Sequence, residues 1–323
     1  MSIWSYLIVP FAWLMQQCMN LLNNYAWALV AYALITKIIT FPFSLKQQKN
    51  SLNMVRLKPY QDALQKKYGS NREKYSMELQ KLYQREGYNP MSSCLPMLIQ
   101  LPLIFLIYSI VRHPLTYVYY GEYFTSKTAQ RVYELAMKIQ NLPESLQKVV
   151  DKITAGEAAV TTISNHELQI YNLSGTSLPG DEVFGIINLS RTPNEQFWSW
   201  MILIPIIACV TSFLVSWVSQ KLSPMQQAAD PSTQSSNKMM LYMMPLMSLF
   251  FTYSLNCALG LYWIIGNLFS IAQTFLLNKI YDPKKVLAEV EQKMEQEKNA
   301  RKEKRSAAAQ KKAAALAASK KKK

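Results

Sequence analysis

Lys37 is the side chain whose type and position point most directly to chemistry. It is the only charged residue between Tyr25 and Leu45, in a stretch otherwise long and apolar enough to cross a bilayer. A lysine near the middle of such a helix costs about 2.5–3.5 kcal/mol on insertion scales. Unless its stem carries the ammonium to the membrane surface, such a lysine faces water, a partner or a cavity. Lys37 therefore predicts a site that attracts negatively charged groups.

Gln100 is the second polar residue that stands out in an apolar block. It lies between Pro96 and Pro102, and two prolines so close together free backbone groups that something must satisfy. A lysine in one span and a glutamine in the next predict a shared polar cavity. The other polar residues have a simpler alternative role in helix packing, because Ser and Thr can bond to their own helix. They include Thr36, Thr40, Thr211, Ser212, Ser216, Asn267 and Gln273.

Signs of covalent chemistry are missing from the sequence. No apolar block contains a carboxylate, which weakens a proton-coupled or sodium-coupled transporter. Phosphate-binding glycine loops, a nucleophile elbow and metal-ligand spacings are also absent, and the four cysteines are far apart. We therefore expect no enzyme, no cofactor and no metal.

Five apolar blocks define the expected fold. The chain has 323 residues and is 50% hydrophobic. Its mean hydropathy is only −0.03, so apolar blocks must alternate with polar ones. Aromatic residues cluster at the block edges, as in an interfacial belt. The prediction is an all-α integral membrane protein with five transmembrane helices, at 23–45, 89–120, 197–218, 238–255 and 258–280.

The polar parts of the chain lie between and around these spans. Residues 1–22 predict an amphipathic helix at the membrane surface. Residues 46–88 predict a helical hairpin, with Asn71 as a possible N-cap and with Pro59 kinking or restarting its first arm. Within the loop 121–196 we expect one helical stretch over about 127–153. A second loop, 219–237, and a tail, 281–323, complete the chain.

The distribution of Lys and Arg predicts orientation. Segment 46–88 has ten Lys/Arg against four Asp/Glu, and the tail 281–323 has fourteen against six. The loop 121–196 has six against nine. Basic segments stay in the cytoplasm, so five spans with the N-terminus outside and the C-terminus in the cytoplasm satisfy both basic segments. Lysines at the end of the tail suit contact with anionic lipids or with RNA phosphates, and these are Lys320, Lys321, Lys322 and Lys323.

Four stretches of the chain resemble the YidC/Oxa/Alb family of membrane protein insertases. The first runs from Lys37 to Pro42, where the family has an arginine, four apolar residues and a proline. The second is the hairpin followed by Asn89, Pro90 and a Pro96–Pro102 segment. The others are centred on Pro245 and on Gly260-Leu261-Tyr262-Trp263 with Asn267. Phe184 to Ser190 is also similar to the stretch before the family's third core span.

The resemblance implies a fold and a function. Five spans would enclose a hydrophilic groove, open to the cytoplasm and to lipid, which receives hydrophobic segments of nascent proteins and releases them into the bilayer. By this likeness the groove residues are Lys37, Thr36, Gln100, Tyr262 and Trp263. The structural motif residues are Pro42, Asn89, Pro90, Pro96, Pro102, Pro245 and Asn267.

The resemblance also implies a location and partners. We expect a bacterial plasma membrane protein similar to members without the family's large periplasmic domain. Its partners would be nascent membrane proteins, the ribosome through the basic tail, the Sec translocon and anionic lipids.

The sequence departs from the family's pattern at two places. Lysine replaces the family's arginine at position 37, and Asn256 to Gly260 replaces a Pro-Ala-Gly-like turn.

Two other classes of function remain open at this stage. A small-solute transporter or channel would explain polar residues in the spans, but we see no inverted sequence repeats. A structural scaffold would make Lys37 dispensable.

Overall fold

The computed structural model describes residues 3–88, 95–120, 126–195, 198–222, 231–296, 299–300 and 302–303. Within these ranges the chain is helical apart from short connections and one small β-hairpin. The expected fold class, an all-α integral membrane protein, is confirmed.

Helices α1 (Ile3–Leu22) and α2 (Tyr25–Tyr68) form an N-terminal pair. The Asn24 side chain caps α2 by accepting a hydrogen bond from the backbone N–H of Trp27. Helix α1 buries one stripe in the core through Ile8, Ala12, Met15 and Met19. It therefore packs against the rest of the protein, while Leu7, Trp13 and Leu21 are exposed.

Helix α2 runs without interruption from the first apolar block into the basic arm. The expected division between a span ending at residue 45 and a hairpin beginning at 46 is not a break in the backbone. Pro42 and Pro59 both lie inside the helix, so Pro59 does not restart it. Leu57 and Gln61 on either side of Pro59 are buried, and this packing offsets the backbone hydrogen bond that proline removes.

Helix α3 (Arg72–Arg85) folds back on the end of α2 and completes the predicted hairpin. The Asn71 side chain accepts a hydrogen bond from the Lys74 backbone N–H at 3.0 Å, which confirms the predicted N-cap. Gln61 of α2 donates a 3.2 Å hydrogen bond to the Tyr83 hydroxyl of α3. The turn after α3 uses Gly87 with φ +64°, a conformation that glycine adopts without strain.

The second apolar block forms helix α4 (Leu95–Arg112), followed by a π-helix over Leu115–Tyr119. Pro102 lies inside α4. At its far end, the Asn256 side chain donates a 3.3 Å hydrogen bond to the Val111 carbonyl. The predicted span 89–120 thus contains two helical pieces.

The last three apolar blocks form α8 (Leu203–Leu222), α9 (Pro231–Ser254) and α10 (Cys257–Ile280). A short 3-10 helix, Trp200–Ile202, precedes α8. Helix α9 begins seven residues before the expected residue 238, and α8 ends four residues after the expected residue 218. Helix α10 packs against both α2 and α8, and residues 283–296 form a further helix, α11.

Residues 126–195 form a small folded unit, which we call the cap. It contains α5 (Ser126–Met137), α6 (Glu144–Thr154) and α7 (Glu167–Leu173). Its strands β1 (Glu182–Val183) and β2 (Ile187–Asn188) pair antiparallel. The prediction of a single helical stretch over 127–153 is wrong, because the chain leaves the helix between α5 and α6 around Pro143. The cap core includes Ala129, Val132, Leu146, Val150, Ile163, Ile170 and Tyr171.

Carbonyls of the cap satisfy the first amides of two long helices. The Tyr25 and Ala26 amides of α2 donate to the Pro179 and Gly180 carbonyls at 2.6 and 3.1 Å. At the start of α10, the amides of Cys257 and Ala258 donate in the same way to the carbonyls of Arg191 and Leu189. Helix starts carry N–H groups without intrahelical partners, so the cap holds these two helix ends together.

A buried carboxylate joins the cap to the π-helix that follows α4. Glu167 is fully buried, and its Oε1 and Oε2 accept hydrogen bonds from the Thr116 backbone N–H and hydroxyl, both at 2.7 Å. Burial raises the pKa of Glu167 to about 7, although these hydrogen bonds lower it.

The raised pKa of Glu167 predicts a pH-dependent stability. A carboxyl group whose pKa is higher in the folded than in the unfolded protein stabilises the fold while it is protonated. Its full contribution is present below the unfolded-state pKa and is lost as the pH rises through the folded-state pKa. Between pH 4.5 and 7, we expect the free energy of unfolding to fall by about 3 kcal/mol. Thermal unfolding in detergent across this pH range measures this change in stability. The matched Glu167→Gln chain stays neutral and is expected to lack this pH slope; equal slopes in both chains would contradict the assignment.

Candidate functional site: a polar seam around Lys37

The Lys37 ammonium points at α10. Its Nζ donates a 3.2 Å hydrogen bond to the Ser270 hydroxyl, and the side chain is half-buried. The neighbouring Ile38 and Ile39 are 61% and 58% exposed, so the apolar surface of α2 lies beside the lysine. This geometry favours a lysine that binds the neighbouring helix over one that extends along its own helix to the membrane surface.

Gly266 and Ser270 of α10 lie beside the Lys37 side chain, and neither was predicted from the sequence. A Cβ atom added to Gly266 would lie 3.3 Å from Lys37 Cε and 3.8 Å from its Nζ. Ser270 supplies the hydroxyl, which itself donates to the Gly266 carbonyl at 2.7 Å. Tyr262, Gly266 and Ser270 are spaced by four residues and share one helix face. This four-residue spacing is visible in the sequence and could have predicted that the three residues share a face.

Thr36 and Tyr262 meet on the same face of the α2–α10 contact. Both are buried, and the Thr36 hydroxyl donates to the Tyr32 and Ala33 carbonyls of its own helix, each at 2.9 Å. The rings of Tyr32 and Tyr262 lie 6.4 Å apart between centroids. The Tyr32 hydroxyl is buried without a hydrogen-bond partner among the described residues, whereas the Tyr262 hydroxyl interacts with the Thr36 side chain. Buried polar atoms without a partner are rare in folded proteins, and these hydroxyls mark a polar interior next to Lys37.

Trp263 and Asn267 face away from Lys37, toward α8. The Asn267 amide donates to the hydroxyls of Thr211 and Ser212 at 3.1 and 2.9 Å. Trp263 Nε1 donates to the same Ser212 hydroxyl at 3.2 Å. Helix α10 therefore carries two polar faces, and the residues predicted from the sequence divide between them. Tyr262 lies with Lys37, and Trp263 lies with Asn267.

The remaining predicted residues lie on other helices or outside the described ranges. Gln100 is half-buried on α4, with no described hydrogen bond to Lys37. Pro245 is buried inside α9, where its carbonyl accepts a 2.8 Å hydrogen bond from the Ser248 hydroxyl. Pro42 and Pro102 are exposed in the helices that contain them, and Pro96 lies in α4. Asn89, Pro90 and Lys320 to Lys323 fall outside the described residues.

The polar seam comprises the Lys37 ammonium and the polar side chains on both faces of α10. Across the described residues, no three His, Cys, Asp or Glu side chains converge in a way that could hold a metal ion. The α2–α10 contact offers the Lys37 ammonium beside the Ser270 hydroxyl. The opposite face of α10 offers the Asn267 amide and the Trp263 indole. The apolar blocks contain no carboxylate. The seam can therefore attract an anion and solvate a polar chain within an apolar surrounding.

The helices define the class of protein to which this seam belongs. Of the helices described, three are long and apolar enough to cross a membrane, and they begin at Tyr25, Trp200 and Cys257. Leu7–Leu22 and Gln100–Arg112 are shorter apolar helices. This is a multi-pass membrane protein with a polar, positively charged seam between its helices.

Comparison with known proteins places the chain in a family. Residues 17–285 match the 60Kd inner membrane protein family, and the chain belongs to that family. The resemblance read from the sequence is confirmed.

Named relatives from two bacterial genera agree with the family match. A protein named membrane protein insertase YidC from Chlorobium limicola is 28% identical over 277 residues. That alignment covers 85% of this chain and 36% of the relative, so the chain spans little more than a third of that protein's length. Membrane protein insertase YidC 2 from Listeria innocua is 28% identical over 288 residues, covering 87% of this chain and 74% of the relative.

Proposed function

We propose that the chain is a membrane protein insertase and chaperone. It receives hydrophobic segments of nascent proteins in a polar groove and releases them into the bilayer, alone or with the Sec translocon. The observation that carries the proposal is the Lys37 ammonium, held on Ser270 between two long apolar helices. The relatives that carry the insertase name support it.

The proposed groove lies about halfway across the membrane. At a rise of 1.5 Å per residue, Lys37 is about 18 Å from the start of α2, and Gln100 is about 17 Å from Val111 at the other end of α4. Asn256 joins the Val111 end of α4 to the start of α10. These depths support one groove lined by Lys37, Thr36, Gln100 and Tyr262, with Trp263 and Asn267 on the opposite face of α10, toward α8.

The mechanism needs no nucleotide and no covalent step. A polar seam within the apolar layer shortens the distance that a polar segment must cross without water, because unsatisfied polar groups are costly in hydrocarbon. The fixed charge of Lys37 attracts acidic residues of the substrate. The substrate's apolar helix then leaves into lipid, and burial of its surface supplies about 25 cal/mol per Å².

The proposed topology has five spans, with the N-terminus outside and the C-terminus in the cytoplasm. The basic arm of α2, the basic hairpin and the basic tail then lie on the cytoplasmic side. The cap lies outside, where it covers the starts of α2 and α10. The bacterial relatives support a location in the bacterial plasma membrane.

Depletion of a bacterial host's own insertase, with this chain supplied in its place, tests the function. We expect recovered membrane insertion of a small substrate with one or two spans, measured by protease accessibility of its outer domain. No recovery by a chain that is present and folded in the membrane would overturn the proposal. A solute transporter would instead produce Lys37-dependent solute flux in proteoliposomes, and the apolar blocks offer no carboxylate for ion coupling.

The basic tail is proposed to contact the ribosome and anionic lipids. Residues 281–323 carry fourteen Lys/Arg and end in Lys320 to Lys323. Such a segment binds phosphates electrostatically and without sequence preference.

Deletion of 284–323 is expected to weaken ribosome association by roughly tenfold at low salt, because contacts to phosphates release counterions. Co-sedimentation with ribosomes across a series of salt concentrations measures it. Replacing only Lys320 to Lys323 by glutamine is the matched control, with a smaller loss and a shallower salt dependence. Binding that does not change with salt would point to protein–protein contact instead.

A further inference from the structure

The tip of the cap's β-hairpin is an exposed apolar feature that the proposed function leaves unused. Strands β1 and β2 pair Glu182 with Asn188 and Val183 with Ile187. They leave a three-residue turn, Phe184 to Ile186, whose Phe184 side chain is 91% exposed. A fully exposed phenylalanine contributes nothing to the core of the cap.

The backbone of this turn is unusual as well. Phe184 has φ +55° and Gly185 has φ +66°. A bulky residue with positive φ is uncommon, and strained residues persist where the surrounding structure holds them for a purpose. The hairpin thus holds an apolar side chain outward in a conformation that phenylalanine does not favour.

The base of the hairpin is fixed to the ends of the long helices. Pro179 and Gly180, just before β1, accept hydrogen bonds from the first amides of α2. Leu189, just after β2, accepts one from the start of α10 and donates one to the Asp181 carbonyl at 2.8 Å. Strand β2 also packs against the 3-10 helix that precedes α8. The tip is therefore held at the level where three apolar helices begin.

Other exposed aromatic side chains lie at this same level. Trp27, in the first turn of α2, is 64% exposed, and Trp200, before α8, is 61% exposed. Trp198 is 96% exposed. Tryptophan at the ends of membrane helices lies at the boundary between headgroups and hydrocarbon. Phe184 is a further exposed aromatic side chain near these helix starts.

We propose that Phe184 and Ile186 insert into the outer leaflet and that the hairpin anchors the cap to the lipid surface. The partner is the boundary between phospholipid headgroups and acyl chains. Ile186 is 49% exposed beside Phe184, so the two side chains form one small apolar wedge. The exposed Glu182 carboxylate at the start of β1 remains at the level of the headgroups. The anchor holds the cap over the helix ends and does not depend on the insertase activity.

Site-directed spin labelling in proteoliposomes of phosphatidylethanolamine and phosphatidylglycerol tests the proposal. The four native cysteines are first replaced by alanine or serine. A nitroxide is then placed at Phe184→Cys, at Trp27→Cys as the membrane reference, and at Glu157→Cys, an exposed cap position, as the water reference. Collision rates with oxygen and with a water-soluble nickel chelate are compared.

We expect the ratio of oxygen to nickel collisions at position 184 to match that at position 27. It should exceed the ratio at position 157 by roughly tenfold, because a polar chelate is excluded from hydrocarbon. A ratio at position 184 equal to that at 157 would overturn the proposal. Protection from both reagents would also overturn it, since it would show that protein covers the tip. Unchanged thermal unfolding of each labelled chain checks that the fold is intact.

Discussion

Replacing Lys37 by glutamate is expected to abolish insertion of substrates whose outer segments are acidic. The Lys37 ammonium lies in the α2–α10 contact, where water screens charges poorly. Two unit charges 4 Å apart interact by about 4 kcal/mol at an effective dielectric constant of about 20. Reversing the sign turns this attraction into repulsion, so we expect a loss of more than about a hundredfold in insertion. Recovery of insertion in the depleted host measures it.

Lys37→Arg is the matched control, because it keeps the charge. Gly266 has no Cβ at the point where one would lie 3.3 Å from Lys37 Cε, so it adds no obstruction to the arginine stem. Ser270→Ala removes the hydrogen bond of Lys37 and leaves the ammonium in place, so we expect at most a few-fold loss. Equal insertion by the Lys37→Glu and Lys37→Arg chains would refute charge attraction. A silent Lys37→Ala would instead favour a purely structural role for this protein.

Gly260→Ala is expected to lower the stability of the helix bundle. Gly260 lies in the first turn of α10, where an added Cβ would collide with the Ile204 Cγ2 methyl of α8. It would also lie 3.8 Å from Thr252 Cβ of α9. Small residues let membrane helices approach closely, and overpacking of such a contact costs about 1–3 kcal/mol. Thermal unfolding in detergent is expected to show a lower midpoint.

A second substitution separates this collision from other effects of alanine. Ile204→Leu removes the branch at Cβ that carries Cγ2 while it keeps the side-chain volume. The double variant Gly260→Ala, Ile204→Leu is therefore expected to recover most of the lost stability. Additive losses would show that the Ile204 methyl is not the obstacle. The pair lies on one contact between helices, so coupling between the two changes is expected.

The match between sequence and structure is closest where local rules operate. Asn71 caps α3 as predicted, because an asparagine side chain can satisfy a nearby amide without help from distant residues. The division between span and hairpin at residue 45 is less well predicted. Composition changes there from apolar to basic, but a helix responds to backbone hydrogen bonds and continues through the change.

At the site, too, some residues could be predicted from the sequence and others could not. Lys37 stands out from the sequence, because a single charge in an apolar block is costly. Its partner Ser270 does not, because serines inside membrane helices are common and usually bond to their own backbone. Tyr262 and Trp263 are adjacent in the sequence, yet they face α2 and α8 respectively. Consecutive helix positions differ by about 100°, so the neighbouring helices decide which groups meet.

The sequence by itself determined that this is an all-α membrane protein with a costly lysine, since hydrophobicity and charge are properties of each segment. Only the tertiary structure decided what surrounds that lysine. Gly266 and Ser270 seat the ammonium, and the cap's carbonyls bind the helix ends above it. The hydrogen bonds among these contacts join residues between 66 and 233 positions apart. Their geometry depends on how helices pack, which the pattern of one segment does not encode.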